Sequence, residues 1–339
     1  MPATRRPTLA DVARLSGLSK TAVSLILNDR PSRLSAETVE RVRTAAAQLD
    51  YKPNPAAQSL RSGKTRSIGF ISDQVTITRF ASAMVRGTLR AAKELGHTVL
   101  IAETGDDLTQ MSAAFDEMIG RRVDGVIVGL MAARMVDVPS PPRGVPVVIV
   151  NGRTPEDLPS VLPDEYTAGH AMASLLLDAG HTRIGFIGDV PYIAADPRRS
   201  VTIARRLAGI RDAFAERGVR AYEAEMSGWR TPFGFEQAHH MMDAHPDLTA
   251  ILAGTDGVAF GVYQALAERG LRVPDDVSVA SFDDEELASL VRPGLTTARL
   301  PYEQMARLGV EMLLGNRELA HELLPMPIIH RESVRTLPR

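Results

Sequence analysis

Apolar positions near the start of the chain recur at helical spacing. Leu9, Val12, Ala13 and Leu15 fall on one face of a helix that Thr8 can cap, with Asp11 completing a T-x-x-D capping box. Ser16-Gly17-Leu18 ends that helix, Gly17 being free to take the positive φ of a tight turn, and Ser19 can cap a second helix over 20–27. Two short helices around a glycine turn make a helix-turn-helix. Beyond a loop, Ser35 can cap a third helix whose Val39, Val42, Ala46 and Leu49 close a small core with Val12, Val23 and Leu27. Lys52-Pro53-Asn54-Pro55 then predicts an extended entry to a short helix over 56–62, stopped by Gly63 and marginal by itself.

From Arg66 the pattern changes. Runs rich in branched residues at 67–71, 97–101, 123–128 and 145–150 read as buried strands, separated by helices at 80–95 and 108–119. The alternation repeats with helices at 167–179, 201–217, 233–244 and 257–269 and strands at 182–187, 222–226, 249–252 and 277–281. Gly96, Gly180, Gly218 and Gly270 each follow a helical run, as C-terminal caps do. The expected fold is an all-α head with a short hinge helix, followed by an α/β body of two lobes, each a parallel, doubly wound sheet. Residues 1–52 form the head and 53–65 the tether; lobe 1 takes about 66–160 and 296–322, and lobe 2 about 164–293 and 325–339. Crossings between the lobes are expected near 151–164, 282–295 and 325–330, with a helix at 302–314 returning to lobe 1 and a last strand at 326–329 in lobe 2.

Composition narrows the chemistry. A chain of 339 residues without cysteine has no disulfide framework, thiolate metal site or cysteine nucleophile. No apolar run reaches bilayer length and none follows the first arginines, so a cytoplasmic protein is expected. The net charge of −2 hides a split: twelve Lys plus Arg face five Asp plus Glu through Arg66, and 27 face 36 beyond it. A basic head on an acidic body lets the head engage a phosphate backbone that the body repels. The eight histidines show no metal spacing, and there is no G-x-G-x-x-G after a strand, no phosphate-cradling Gly-Lys-Ser/Thr loop and no nucleophile elbow. No metal, cofactor or catalytic residue is expected.

Thr8-Leu-Ala-Asp-Val-Ala, Gly17-Leu-Ser19, Val23-Ser24, Leu27-Asn28, Tyr51-Lys-Pro-Asn54 and Ala57-Gln-Ser-Leu60 together resemble the headpiece of the lactose-repressor (LacI/GalR) family of bacterial transcription regulators. The two-lobed remainder resembles the periplasmic-binding-protein-like core of the same family. That resemblance implies a non-enzymatic repressor, acting as a homodimer on a near-palindromic operator and switched by a small effector; the charged hydrogen-bonding groups of Arg206 and Asp256 and the stacking face of Trp229 point to a sugar or sugar derivative. Lys20, Thr21 and Ser24 become outward candidates for bases or phosphates, with phosphates held by Ser19 and Asn28 and a further contact from Arg30. Thr8, Asn54 and Ala57 join the DNA-binding set, Ala57 permitting close pairing of two hinge helices, and Leu60 occupies the position of a minor-groove wedge. Ala22 and Leu25 depart from the Thr and Arg common in the family, which removes a bidentate guanine reader.

For the effector, Arg206-Leu-Ala-Gly209 matches the family's R-x-x-G, with Thr202 one turn earlier, Asp256 just past a strand at a helix start, and Trp229 as a stacking face. Arg79 and Phe80 match a contact pair, and Asp73 and Asp164 are further candidates. A solute-binding protein of a transporter shares such a body but has no use for residues 8–62.

Overall fold

The computed structural model describes residues 7–27, 34–52, 63–76, 81–105 and 107–338, and its contacts divide the chain into two units, Met1–Arg66 and Ser67–Arg339. In the first unit, α1 (Leu9–Ser16), α2 (Lys20–Leu27) and α3 (Ala36–Gln48) pack around Val12, Ala13, Val23, Ile26, Val42, Ala45 and Ala46. Asp11 accepts hydrogen bonds from the Thr8 backbone N–H at 2.9 Å and its hydroxyl at 2.7 Å, and Gly17 takes φ 70° at the turn. Leu15, expected on the apolar face of the first helix with Val12, is instead 51% exposed. It sits three residues past Val12, on the edge of a stripe that only two short partner helices cover.

The second unit holds two six-stranded sheets. The first comprises β1 (Ser67–Ser72), β2 (Thr98–Glu103), β3 (Val126–Met135), β4 (Val147–Arg153), β5 (Ser160–Pro163) and β11 (His321–Leu324), in the order β11-β5-β4-β3-β1-β2 and parallel throughout. Helix α4 (Ala81–Glu94) and helix α12 (Tyr302–Leu313) cover one face, and α5 (Leu108–Gly120) the other. Strand β2 was expected to be buried. It is the sheet's edge, and Ile101 is 45% exposed there.

The second sheet comprises β6 (Ile184–Asp189), β7 (Tyr222–Glu225), β8 (Ala250–Ala253), β9 (Ser278–Asp283), β10 (Thr296–Arg299) and β12 (Ile328–Ile329), ordered β12-β10-β9-β8-β6-β7. Only β12 among them runs antiparallel. Helices α6 (Glu165–Asp178) and α8 (Ile203–Glu216) cover one face, α9 (Thr231–Ala244) and α10 (Asp256–Glu268) the other, and α7 (Pro191–Ala194) and α11 (Glu286–Leu290) are short connectors. Positive φ at Gly96, Gly180, Gly218 and Gly270 closes the preceding helices as the sequence predicts.

Three crossings join the lobes: Asp164 between β5 and α6, Leu300 and Pro301 between β10 and α12, and 325–327 between β11 and β12. Each is bracketed by or contains proline: Pro163, Pro301, Pro325 and Pro327. They lie side by side, Asp164 N–H donating to Leu324 O at 2.7 Å and Arg299 N–H to Pro327 O at 2.9 Å. The second crossing departs from the expected place near 282–295, and 296–299 belongs to the second lobe. Thr296-Thr-Ala-Arg299 pairs with β9 before the chain leaves. Among the described residues, no helix is long and apolar enough to cross a membrane.

Candidate functional site

The carboxyl ends of the parallel strands in the two lobes face a cavity of about 570 Å³. On the first lobe's side the wall is shaped by a break in β3, where the register with β4 shifts between Gly129 and Arg134. The backbone freed there is held by side chains. Met131 N–H donates to Asp73 Oδ1 at 3.0 Å, Leu130 O accepts from Asn151 Nδ2 at 2.9 Å, and Met131 O accepts from the Tyr302 hydroxyl at 3.1 Å. Met131, Ala132, Ala133, Asn151 and Tyr302 thereby line the cavity.

Asn151 has φ 63°, a left-handed conformation asparagine tolerates, and is 2% exposed. With Nδ2 committed to a carbonyl, the amide cannot turn over without setting oxygen against oxygen. Its Oδ1 is buried without a partner among the described residues. Such an acceptor costs about 1–3 kcal/mol unless something donates to it.

The second lobe supplies the charges. Arg206, 4% exposed on α8, forms a two-pronged bond to Glu165 at the start of α6, Nε to Oε2 at 2.6 Å and Nη2 to Oε1 at 2.9 Å. Its Nη1 donates to Gly254 O at 2.7 Å, Asp283 Oδ1 lies 3.7 Å from Nη2, and the guanidinium sits 4.4 Å from the centre of the Phe282 ring. Burial pushes the Asp283 carboxyl well above its usual range, against the pull of Arg206. Trp229, the chain's single tryptophan, donates its ring N–H to Gly188 O at 3.0 Å, which fixes the ring at the cavity wall.

In the first unit, Ser19 Oγ accepts from Ala22 N–H at 3.2 Å, and Ser19, Lys20 and Thr21 are exposed at the start of α2. A short second helix with its first turn open to solvent is the geometry by which a helix-turn-helix enters a major groove.

Residues 8–54 match the family model of bacterial regulatory proteins, lacI family, and residues 173–334 match the periplasmic binding protein-like domain. The ribose operon repressor of Escherichia coli is 30% identical over 317 residues, spanning 91% of this chain and 92% of that protein. The chain belongs to the lacI family.

Among solved structures, the Lac repressor dimer bound to operator and an anti-inducer is 26% identical with a TM-score of 0.74, covering 98% of this chain and 100% of that one. The regulator CelR in complex with cellobiose is 26% identical with a TM-score of 0.62, covering 97% and 100%. The lacI-family protein is therefore a DNA-binding transcription repressor with a small-molecule effector and not an enzyme, and the solute-binding alternative falls away.

Three of the eight effector candidates, Thr202, Arg206 and Trp229, lie on the cavity. Three do not. Asp73 holds the β3 break, and Asp164 caps α6 through Thr167 N–H at 3.2 Å within the first crossing. Asp256 is fully buried behind the wall, accepting from Ser281 Oγ, from Thr297 Oγ1 at 2.7 Å and from Glu285 N–H at 2.6 Å. All three carboxylates accept from backbone or hydroxyl donors of their own lobe. Arg79 and Phe80 lie outside the described residues, as do Asn28, Arg30, Asn54, Ala57 and Leu60.

Ser24, expected to face outward, is 9% exposed, because it falls one turn before Leu27 on the side that packs on the core. The sequence reading missed Glu165, Asp283, Asn151 and Tyr302. A signal existed for Asp283, which ends a buried strand where the fold places ligands. None existed for Glu165 pairing with a residue 41 positions away.

Burial pushes the Asp256 carboxyl up to about 6, its three hydrogen bonds opposing. A carboxyl that holds its proton more tightly when folded stabilises the fold at low pH, and that contribution is lost as pH rises toward its folded value. Calorimetry should accordingly find the melting temperature of Asp256→Asn gaining on the parent between about pH 4.5 and about pH 7. Parallel profiles would show that Asp256 does not titrate in this range.

Proposed function

We propose that the protein works in the cytoplasm as a homodimeric operator-binding repressor whose cleft takes a neutral sugar or sugar derivative. Asn151 carries the reading: a buried acceptor with no partner among the described residues, on the wall of a cavity otherwise rich in paired groups. A hydroxyl satisfies it, and a carboxylate or phosphate oxygen does not. Arg206, Glu165, Asp283 and Thr202 add donors and acceptors from the opposite lobe, and Trp229 and Tyr302 add ring faces. The lining carries Arg199, Arg206 and Arg230 against Glu165, Asp283 and Glu285, and Arg206 is already neutralised by Glu165. A polyol fits that balance better than an anion. The cellobiose bound by CelR and the operator bound by the Lac repressor dimer are consistent with the same assignment here.

Because Trp229 is the only tryptophan and lines the cavity, its emission reports occupancy. Titration with pentoses, hexoses and disaccharides should change it saturably, whereas sugar phosphates and nucleobases should not. A response confined to the anions or bases would overturn the sugar assignment. On the DNA side, Lys20→Ala and Thr21→Ala should each weaken binding to a duplex selected from a random pool by roughly tenfold. Affinity equal to the parent's for both would remove the first turn of α2 from the interface.

A further inference from the structure

The lobes are joined a fourth time, outside the three crossings. Beyond its break, β3 runs on to the cleft margin, where residues 133–135 meet residues 197–201 of the second lobe, the segment that leads into α8. Val201 N–H donates to Ala133 O at 2.7 Å, and Met135 N–H donates to Pro197 O at 2.8 Å. The two bonds run in opposite order, 133 with 201 and 135 with 197, so the segment 197–201 is pinned at both of its ends. The other edge of the same stretch is taken by β4, with Arg134 opposite Gly152, Met135 opposite Arg153, and Val136 N–H donating to Arg153 O at 2.9 Å. A turn of the second lobe, in which Arg199 N–H and Ser200 N–H both donate to Asp196 O, is thus tied to the free edge of the β3 extension. Arg198 Nη1 lies 2.8 Å from Asp137 Oδ2 beside it, with side chains 63% and 42% exposed. An ion pair this open to water adds little, so the two backbone bonds carry the joint.

We propose that this clasp is a latch that holds the cleft shut and sets the ligand-facing residues of one wall. Ala133, Arg199, Ser200 and Thr202 lie on or beside the paired strip and line the cavity. Opening the lobes has to break both bonds and expose their donors and acceptors, whatever the cavity contains. The latch therefore shifts the closed population by itself, and an effector adds only its own preference for one arrangement. The inference is independent of the effector's chemistry, and its test needs no effector.

The chain has no cysteine, so Gln110→Cys in the first lobe and Glu225→Cys in the second, both exposed, give a unique pair of spin labels in the full-length protein. Pulsed electron-paramagnetic-resonance distances without added ligand should show one narrow, closed population. Met135→Pro deletes the N–H that bonds Pro197 and leaves the Val136 bond to β4 intact, and it should raise the open fraction on the order of tenfold. Asp137→Arg sets like charges face to face and should raise it on the order of threefold, and Asp137→Arg with Arg198→Asp should restore the parent distribution. Two results would overturn the latch: a parent distribution already broad or mostly open, or variants that melt cooperatively and keep the parent distances. Should Met135→Pro fail to fold, Val201→Pro, which deletes the N–H that bonds Ala133 O, takes its place with the same expected rise.

Discussion

Arg206→Met should lower the stability of the two-lobed unit by about 3–5 kcal/mol, because it leaves Glu165 and Asp283 buried beside a side chain that cannot balance them. The two acids are about as covered as the arginine, with side-chain exposures of 5% and 9%. Their charge would have to be neutralised by proton uptake or hydrated by an opened cleft. For a domain of this size the loss corresponds to a fall in melting temperature on the order of 10 °C, read by calorimetry. Arg206→Met combined with Glu165→Gln removes most of the uncompensated charge and should recover much of that fall. Effector binding, read by Trp229 emission, should be lost in both. Recovery of binding together with stability would show that the pair is structural and that the ligand is held by other groups.

Gly209→Ala should be nearly as damaging, for a steric reason. Where α6 and α8 cross, a Cβ at Gly209 would stand 2.1 Å from Tyr166 O and 2.9 Å from His170 N, and one at Gly169 would stand 2.3 Å from Arg206 O. Backbone cannot yield as a side-chain tip can, so the helices must separate. Overpacking of this kind costs about 1–3 kcal/mol. Separation also draws Glu165, at the head of α6, away from Arg206 on α8, so effector affinity should fall with stability. Gly120→Ala provides the control: its added methyl meets nothing within 4 Å and its φ is not left-handed, so it should be neutral or slightly stabilising. Equal melting temperatures for the two variants would mean that the α6–α8 contact is more compliant than its distances indicate.

Long, strongly periodic elements were legible in the chain itself, because burial on one face writes a repeat into the sequence. The helix-turn-helix and the alternation that builds two parallel sheets are of this kind. Some of the four-residue strands are not: Ser160-Val-Leu-Pro163, Thr296-Thr-Ala-Arg299 and His321-Glu-Leu-Leu324 show no period and, unlike Tyr222–Glu225 and Ala250–Ala253, do not follow in a helix–strand alternation. They are made into strands by neighbours supplied from elsewhere in the chain. The same gap explains why the second crossing was expected too early. At the site, Arg206, Thr202 and Trp229 could be picked out by local context, whereas Asp73, Asp164 and Asp256 shared that context and lie off the cavity wall. What separates the two groups is which side chains the folded chain brings to the cavity wall. No spacing rule reports that.

The prolines at the three crossings set what kind of motion the body can make. Each crossing has only one to three residues, and Pro163, Pro301, Pro325 and Pro327 remove a rotatable φ from or beside each of them. Parallel short struts with so few free torsions resist stretching and shear. They leave a swing about the line they share as the soft coordinate, much as a piano hinge does. A ligand that prefers one arrangement of the lobes therefore acts on an angle, a single number that any downstream contact can read.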